Sequence, residues 1–341
     1  MPTIRDVAKY ANVSISTVSK YFHHPDTLSP DYKERVQEAV LALKYSPNPA
    51  AQSMRTRKTN RIALVVPQIS NQHFIDVYYS MHAACLEFGY TIITYTTDES
   101  TDGQNDVLQS AFDHNTDGVI LAYADEDYAL PIIRERKDEK PVLMISAFPQ
   151  ELDVDCIALS LYEGICKTTE HLISLGHKRI AFCGGPRESV HMQEKERGFL
   201  DTMRLHKLDV PDTYMTFGYN TALSGYQMAN RLLSPESPPS AIVAANDILA
   251  IGCIKAVRMN NLRTPQDIAV SGFDGIQMAS LYEPGITTFQ QPTAEMGRMA
   301  VKMLIERIKQ PRSKSKLVLF NGELKVRKST SCNSPILLDI E

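Results

Sequence analysis

Over most of the chain, short apolar runs alternate with longer amphipathic stretches. Ile62–Val66 precedes the stretch Phe74–Phe88, and much later Ala241–Ala245 precedes Ile248–Met259 in the same order. Nearly continuous apolar strands separated by helices are typical of parallel sheets buried on both faces. The region is long enough for two such lobes, so we predict a two-lobed α/β core over residues 61–333. Ligands of parallel sheets bind beyond the carboxyl ends of the strands, which makes the cleft between the lobes the expected ligand site.

The first residues show a different pattern, that of two short helices joined by a tight turn. Thr3 and Asp6 have the spacing of a capping box and predict a helix that begins directly after Thr3. Asn12 tolerates left-handed backbone and is expected to end this helix. Ser14 is expected to cap a second helix that extends to about Phe22. Small apolar side chains would pack the two helices together: Ile4, Val7, Ala8, Ala11 and Val18.

A third helix is predicted to begin at Ser29-Pro30, where a capping serine precedes a proline at the first helical position. Its inward stripe is expected to contain Val36, Val40 and Leu43. Residues 1–46 therefore predict a three-helix, helix-turn-helix head, whose second helix would lie in the major groove of DNA.

Charge is divided unevenly along the chain. The net charge is −4, yet residues 1–58 carry nine Lys/Arg against five Asp/Glu, and the remaining residues carry 27 against 35. The head is thus +4 and the rest −8. A basic head on an acidic body suits a small DNA-binding domain joined to a domain with another task.

Composition and motifs disfavour several other classes. The six cysteines include no CxxC pair, so neither a disulfide framework nor a zinc cluster is expected. No phosphate-binding loop, GxSxG or HExxH motif occurs, and we predict no enzyme activity, no metal and no cofactor. His171 and His177 are interpreted as structural.

Without a signal peptide or an apolar run of bilayer length, we expect a bacterial cytoplasmic protein, associated with the nucleoid and without a membrane partner.

Residues 47–60 are predicted to form a hinge between the head and the core. Asn48-Pro49 is a second capping start, followed by the basic residues Arg55, Arg57 and Lys58. A helix of two turns is too short to be stable alone in water. This segment would therefore fold against another surface, or else form a frayed linker.

Several motifs in the same order resemble the lactose/galactose repressor (LacI/GalR) family of bacterial transcription regulators. They are TIRDVAKYANVSISTVSK, NPAAQSM, HLISLGHKRIAFCGGP, AIVAANDILAIG and DIAVSGFDG. The resemblance covers essentially the whole chain. It implies a homodimer that reads a pseudo-palindromic operator in double-stranded DNA, with a core similar to type I periplasmic sugar-binding proteins. A small molecule or a partner protein at that core would switch operator affinity.

The resemblance also implies DNA-binding residues in the head and the hinge. Ile15, Ser16 and Lys20 match base-reading positions; lysine suits guanine, and isoleucine suits a thymine methyl group. Met54 stands where the family usually places leucine, and is expected to insert into a minor-groove step. Thr3, Ser19 and His23 are expected to contact phosphates. Thr17 and Asn48 complete the predicted set.

In the core, motif positions imply an effector site. Asp274 in SGFDG and Asn246 in AANDI match residues that hold polar groups of a ligand, and both suit hydroxyls. Phe74 matches an aromatic position suited to stacking on a sugar, and a core phenylalanine is the alternative interpretation. Asp247 is expected to cap the following helix. The predicted effector set also contains Ser146, Lys195, Tyr219 and Gln291.

Two departures from the family pattern bear on the effector. Lys195 replaces the usual arginine three residues before the glycine of RxxGF, which loses the planar fork that grips adjacent oxygens. Arg197 is nearby but is expected to point elsewhere. Ser160 replaces an aspartate four residues before Gly164. These changes weaken the case for a plain neutral sugar; they are compatible with an anionic ligand such as a sugar acid or a sugar phosphate, or with a protein partner and no sugar site in use.

Two alternatives stay open beside a metabolite-controlled repressor of carbohydrate-related genes. The same regulator could answer to a protein partner, or the core could serve a sugar-binding protein, although such a protein would lack the head. The last strand-like run, Leu317–Val326, is followed only by a short tail without a heptad repeat. A tetramer through a carboxyl-terminal coiled coil is therefore not expected, and a dimer is predicted.

Overall fold

The computed structural model describes residues 2–46, 58–67, 71–97, 104–113, 115–122, 126–145, 152–234, 238–311 and 314–331, and for residues 23, 104–105 and 126–128 it describes the backbone alone. The chain divides into two compact units, residues 1–59 and residues 60–341. Most of the predicted hinge lies outside the described residues.

The first unit contains the three predicted helices. They are α1 (Ile4–Tyr10), α2 (Ile15–His23) and α3 (Pro30–Ala42), with a short 3-10 turn at Pro25–Thr27. Asn12 has a φ of 49°, so it makes the predicted left-handed turn. The centre of the head is fully buried and consists of Val7, Val18, Val36 and Ala39. Val40 and Leu43, predicted as inward, are half-buried at its edge.

The described part of the second unit contains two six-stranded sheets. The first is formed by β1 (Arg61–Val66), β2 (Thr91–Thr96), β3 (Gly118–Ala122), β4 (Val142–Ile145), β5 (Asp155–Leu159) and β11 (Leu317–Phe320). The second is formed by β6 (Ile180–Gly184), β7 (Met215–Phe217), β8 (Ala241–Ala244), β9 (Ala269–Asp274), β10 (Thr287–Gln290) and β12 (Glu323–Lys325).

Strand order follows the pattern of two open parallel sheets. The first sheet runs β11-β5-β4-β3-β1-β2 and is entirely parallel. The second runs β12-β10-β9-β8-β6-β7, with β12 alone antiparallel. The central strands β3, β4, β6 and β8 are buried along their whole length. The predicted two-lobed α/β class is confirmed.

Nine helices connect the strands in the described part of this unit. They are α4 (Gln72–Glu87), α5 (Gln104–Asp113), α6 (Glu126–Arg136), α7 (Leu161–Ser174), α8 (Val190–Leu205), α9 (Ala222–Leu233), α10 (Asp247–Met259), α11 (Gln277–Leu281) and α12 (Thr293–Lys309). The main helix pairs are α4 with α12, α7 with α8, and α9 with α10. No described helix is both long and apolar enough to cross a bilayer.

The chain passes between the lobes at three short connections. Ser160 separates β5 from α7, Gln291-Pro292 separates β10 from α12, and Asn321-Gly322 separates β11 from β12. The single run expected over Leu317–Val326 is therefore wrong, because it forms two strands in different sheets. The break follows from packing, since Gly322 lies against the Phe289 ring with no room for a side chain.

Five elements were absent from the predicted alternation, namely α6, β5, α11, β10 and α12. Two of them, α6 and β5, carry a residue that breaks the pattern. Helix α6 contains Pro131. Strand β5 begins with Asp155, which is 3% exposed and accepts hydrogen bonds from the Arg307 guanidinium at 2.7 and 3.0 Å. Arg307, more than 150 residues away, pairs with the buried Asp155 and so offsets the cost of burying its charge. Local periodicity in the sequence cannot reveal such a distant partner.

Candidate DNA-binding and effector sites

The outward face of α2 carries the side chains predicted to read bases. Ile15 is 44% exposed, and Ser16 and Lys20 are exposed as well. Val18 points into the head core, and Ser19 is half-buried between the two faces. The outward orientation expected of Ile15, Ser16 and Lys20 is confirmed, whereas Ser19, which was also expected to point outward, is half-buried. Contacts of α2 with bases stay predictions.

A small hydroxyl cluster fixes the start of α2. Ser14 Oγ accepts a hydrogen bond from the Thr17 backbone N at 3.1 Å and lies 2.7 Å from Ser16 Oγ and 2.8 Å from Thr17 Oγ1. At the start of α1, the Thr3 N–H and hydroxyl both donate to Asp6 Oδ2. These bonds lower the pKa of the Asp6 carboxyl. These bonds hold Thr3, Ser16 and Thr17 at the starts of their helices.

Arg35 holds the turn of the head and was missed by the sequence reasoning. Its Nη2 donates to the carbonyl oxygens of Ala11 at 2.7 Å and of Asn12 at 2.8 Å. The same guanidinium lies 3.5 Å from Asp31 on its own helix. A cation that satisfies the carbonyls at the end of α1 ties α3 to the turn before α2. No spacing rule identifies such a residue, because its partners lie 23 and 24 positions away.

Several predicted site residues are not tested by this geometry. Asn48, Met54 and Ser146 lie outside the described residues, and only the backbone of His23 is described. Their roles stay predictions.

Four predicted effector residues are buried at the carboxyl ends of the second sheet. Lys195 on α8 donates through Nζ to the Ala245 carbonyl at 2.7 Å, and Nζ lies 4.0 Å from the centre of the Phe273 ring. Gln291 donates through Nε2 to Asp274 Oδ1 at 2.9 Å. The buried predicted residues, which are between 3% and 8% exposed, are Lys195, Asn246, Asp274 and Gln291.

Asn246, and not the adjacent Asp247, caps α10. The Asn246 Oδ1 accepts from the Leu249 N–H at 2.8 Å. The expectation that Asp247 caps this helix is wrong: Asp247 is the first helical residue, one position too late for capping. Its carboxylate instead accepts from the backbone N–H groups of Gly275 and Ile276 at 2.8 and 2.9 Å. Asp247 thus positions the loop that follows Asp274.

The aromatic candidates lie at different depths. Phe74, on α4, is half-buried against the core and meets the His73 ring edge-on at 5.3 Å. Tyr219 follows β7 and is 69% exposed. The packing of Phe74 against the core fits the alternative interpretation of this residue, and Tyr219 does not belong to the buried group.

Two histidines that were not predicted lie beside this polar group, His73 buried and His191 half-buried. His73 is 3% exposed, and its pKa is lowered by burial, raised by Asp274 and lowered by Lys195. His191 lies one turn before Lys195 on α8. Burial first, and Lys195 second, lower the pKa of His191 to about 4. The four-residue spacing of His191 and Lys195 was visible in the sequence, whereas the position of His73 depends on the fold.

Of the two departures from the family pattern, Ser160 has a structural explanation, and the neighbours of Lys195 on α8 show which basic residue points inward. Ser160 caps α7, with its Oγ accepting from the Glu163 N–H at 3.1 Å. Arg197 pairs with Glu194 at 2.7 Å and is exposed, which confirms that it points away from Lys195. Lys195 is therefore the basic residue that this part of α8 directs inward.

The interpretation of two histidines as structural is confirmed. His171 Nε2 lies 2.9 Å from Thr330 Oγ1, and His177 Nδ1 lies 3.0 Å from Ser240 Oγ. Both therefore tie α7 and the turn that follows it to neighbouring segments. Within the described residues, no group of three or more His, Cys, Asp and Glu side chains has an arrangement suited to a metal.

A helix-turn-helix head followed by two parallel-sheet lobes defines the class of this protein, a DNA-binding regulator. Residues 3–48 match the model of bacterial regulatory proteins of the lacI family, and residues 169–330 match a periplasmic binding protein-like domain.

Relatives match along nearly the whole chain. The ribose operon repressor of Escherichia coli K12 is 31% identical over 311 residues, covering 91% of this chain and 94% of that protein. The transcriptional repressor PurR of Photobacterium profundum is 30% identical over 329 residues, covering 96% and 98%. A lac repressor dimer bound to operator and an anti-inducer matches with a TM-score of 0.86 at 25% identity, covering 96% and 99%. The chain belongs to the lacI family and is a DNA-binding transcriptional repressor, not an enzyme.

Proposed function

We propose that this chain is a homodimeric repressor, acting in the bacterial cytoplasm, whose heads read a pseudo-palindromic operator. The observation that carries the proposal is the outward face of α2, where Ile15, Ser16 and Lys20 are exposed on a helix fixed by the Ser14 cap. An apolar group, a hydroxyl and a cation along one face match the chemical variety of base edges in the major groove. A lac repressor dimer bound to operator supports the two-headed arrangement. Residues 47–60 would complete the reader in the minor groove.

In the same proposal, a small molecule in the cleft of the core switches operator affinity. Buried Lys195 and Asp274 provide one cationic and one anionic group at the strand ends, and Gln291 and Asn246 add amides. All four already make hydrogen bonds within the protein, so a ligand would have to replace or extend those bonds. Lysine in place of a planar arginine favours a single anionic group on the ligand. A sugar acid or a sugar phosphate that controls carbohydrate-related genes fits these groups best.

The switch is tested by operator release. A fluorescent duplex that the chain protects in footprinting is titrated with the full chain, with neutral sugars, sugar acids or sugar phosphates present in turn. We expect one anionic compound to change operator affinity by about 5- to 150-fold, the usual range of allosteric coupling. If no compound changes the affinity, the metabolite proposal fails. A protein partner that does change it in a cell extract would then support the alternative regulator.

A further inference from the structure

We propose that the cleft binds its anionic effector together with a proton, and that the proton is accepted by the His191 ring beside Lys195. This inference rests on the proposed function, because it concerns the same cleft and the same class of ligand. It adds a residue outside the predicted effector set and a thermodynamic property, proton uptake.

The two basic side chains share one face of α8. Residues four apart on a helix are neighbours, which places His191 directly beside Lys195. His191 Nε2 is shielded from solvent, and Lys195 is 8% exposed. The contact of Lys195 Nζ with the Ala245 carbonyl, at 2.7 Å, places this helix face against the carboxyl end of β8. An anion held by Lys195 would therefore lie within reach of the His191 ring.

The charge of the cluster makes a proton necessary. Lys195 supplies one positive charge, while Asp247 at the start of α10 and Asp274 at the end of β9 supply two negative charges when ionised. Both carboxylates act on Lys195, and His73 on α4 is influenced by Asp274 and Lys195. The pKa of Asp247 is about 7, so below neutral pH Asp247 already carries its proton, and with neutral histidines the buried group is then formally neutral. A further anion would add an uncompensated negative charge in a medium that screens charge poorly, unless a second proton entered with it.

His191 is the best placed acceptor of that proton. Its pKa of about 4 results from burial and from repulsion by Lys195, so the ring is neutral near pH 7. An anion between the two side chains would neutralise Lys195 and stabilise the imidazolium, so the pKa of His191 would rise on binding. Between the free and bound pKa values, uptake of one proton weakens anion affinity by up to about tenfold per pH unit as the pH rises.

Sulfate is a suitable probe, because its charge stays at −2 over this pH range and only protein groups titrate. Thermal melting of the full chain is measured at pH 5, 6 and 7 in sodium sulfate and in sodium chloride of equal ionic strength. The variants are His191→Gln and, as the matched control, His206→Gln at the exposed end of α8. Glutamine is neutral, as His191 is at neutral pH before binding, so both variants should fold.

We expect a sulfate-specific rise in Tm for the wild-type chain and for His206→Gln, largest at pH 5 and smaller with each pH unit. His191→Gln should keep only the general salt effect. Calorimetric titration in two buffers of different ionisation heat should give close to one proton taken up per sulfate. The proposal is overturned if His191→Gln responds like the wild type or if the response is independent of pH. Operator release by a neutral sugar without a sulfate effect would reject this inference and leave the effector switch intact.

Discussion

At the scale of single residues, Asp247 shows how one buried side chain can position a loop beside a predicted effector residue. It is fully buried, and its two backbone hydrogen bonds hold the loop after Asp274. Burial, with a further contribution from Asp274, raises the pKa of Asp247 to about 7 despite those bonds. The Asp247 carboxyl therefore holds this loop in place but lowers the stability of the folded chain near neutral pH.

This carboxyl should give the core a measurable pH dependence. Its pKa is higher in the folded chain than in the unfolded one, so the folded state holds the proton longer. The contribution of Asp247 is thus fully present near pH 4 and is lost as the pH rises through 7, by about 1.4 kcal/mol per pH unit. Asp247→Asn keeps an oxygen acceptor for both N–H groups and does not titrate. In urea denaturation, the variant should lose this slope and gain stability relative to the wild type from pH 5 to pH 7. Parallel curves for the two proteins would contradict the assignment.

At the scale of elements, the head depends on a contact between α3 and the turn before α2. Arg35 supplies two hydrogen bonds to backbone carbonyls of this turn. Replacing it by methionine keeps much of the apolar stem and removes both bonds. Because hydrogen bonds to charged groups contribute about 1.5–3 kcal/mol, we expect Arg35→Met to weaken operator binding by roughly tenfold or more through a less ordered head. Lys33→Met, on the same helix, is the control and should have a smaller effect. Equal loss in both variants would assign the effect to charge alone.

Elements also show which features could be predicted from sequence. Strands with continuous apolar runs, such as Ile62–Val66 and Ala241–Ala245, were predicted because local composition determines them. Strand β5 was missed because its buried Asp155 is paired with a distant arginine.

Helix caps likewise differ in whether local sequence alone identifies them. Ser14 was assigned correctly, whereas the adjacent polar residues Asn246 and Asp247 both fit a cap, and only their backbone positions decide between them. In the cleft, the buried group of Lys195, Asn246, Asp274 and Gln291 was predicted from motifs, but His73 joins it only through the fold.

At the scale of the whole molecule, a repressor of this kind links two binding equilibria. If the cleft ligand changes operator affinity by some factor, the operator must change ligand affinity by the same factor. The chain crosses from one lobe to the other at Ser160, Gln291-Pro292 and Asn321-Gly322, so any change in the arrangement of the lobes would have to be accommodated at these connections. A ligand that prefers one arrangement of the lobes would shift their populations in proportion to that preference.

The central claim is that this chain reads a symmetric operator through the outward face of α2. The most direct test is selection of bound duplexes from a random pool by the full chain and by its Lys20→Ala variant. The wild-type chain should enrich one site with two inverted half-sites. The variant should bind that site at least about fivefold more weakly, the loss expected for one base contact, while its affinity for random duplex changes less. Enrichment of no site, or of a site without inverted half-sites, or equal losses on selected and random DNA, would contradict the account.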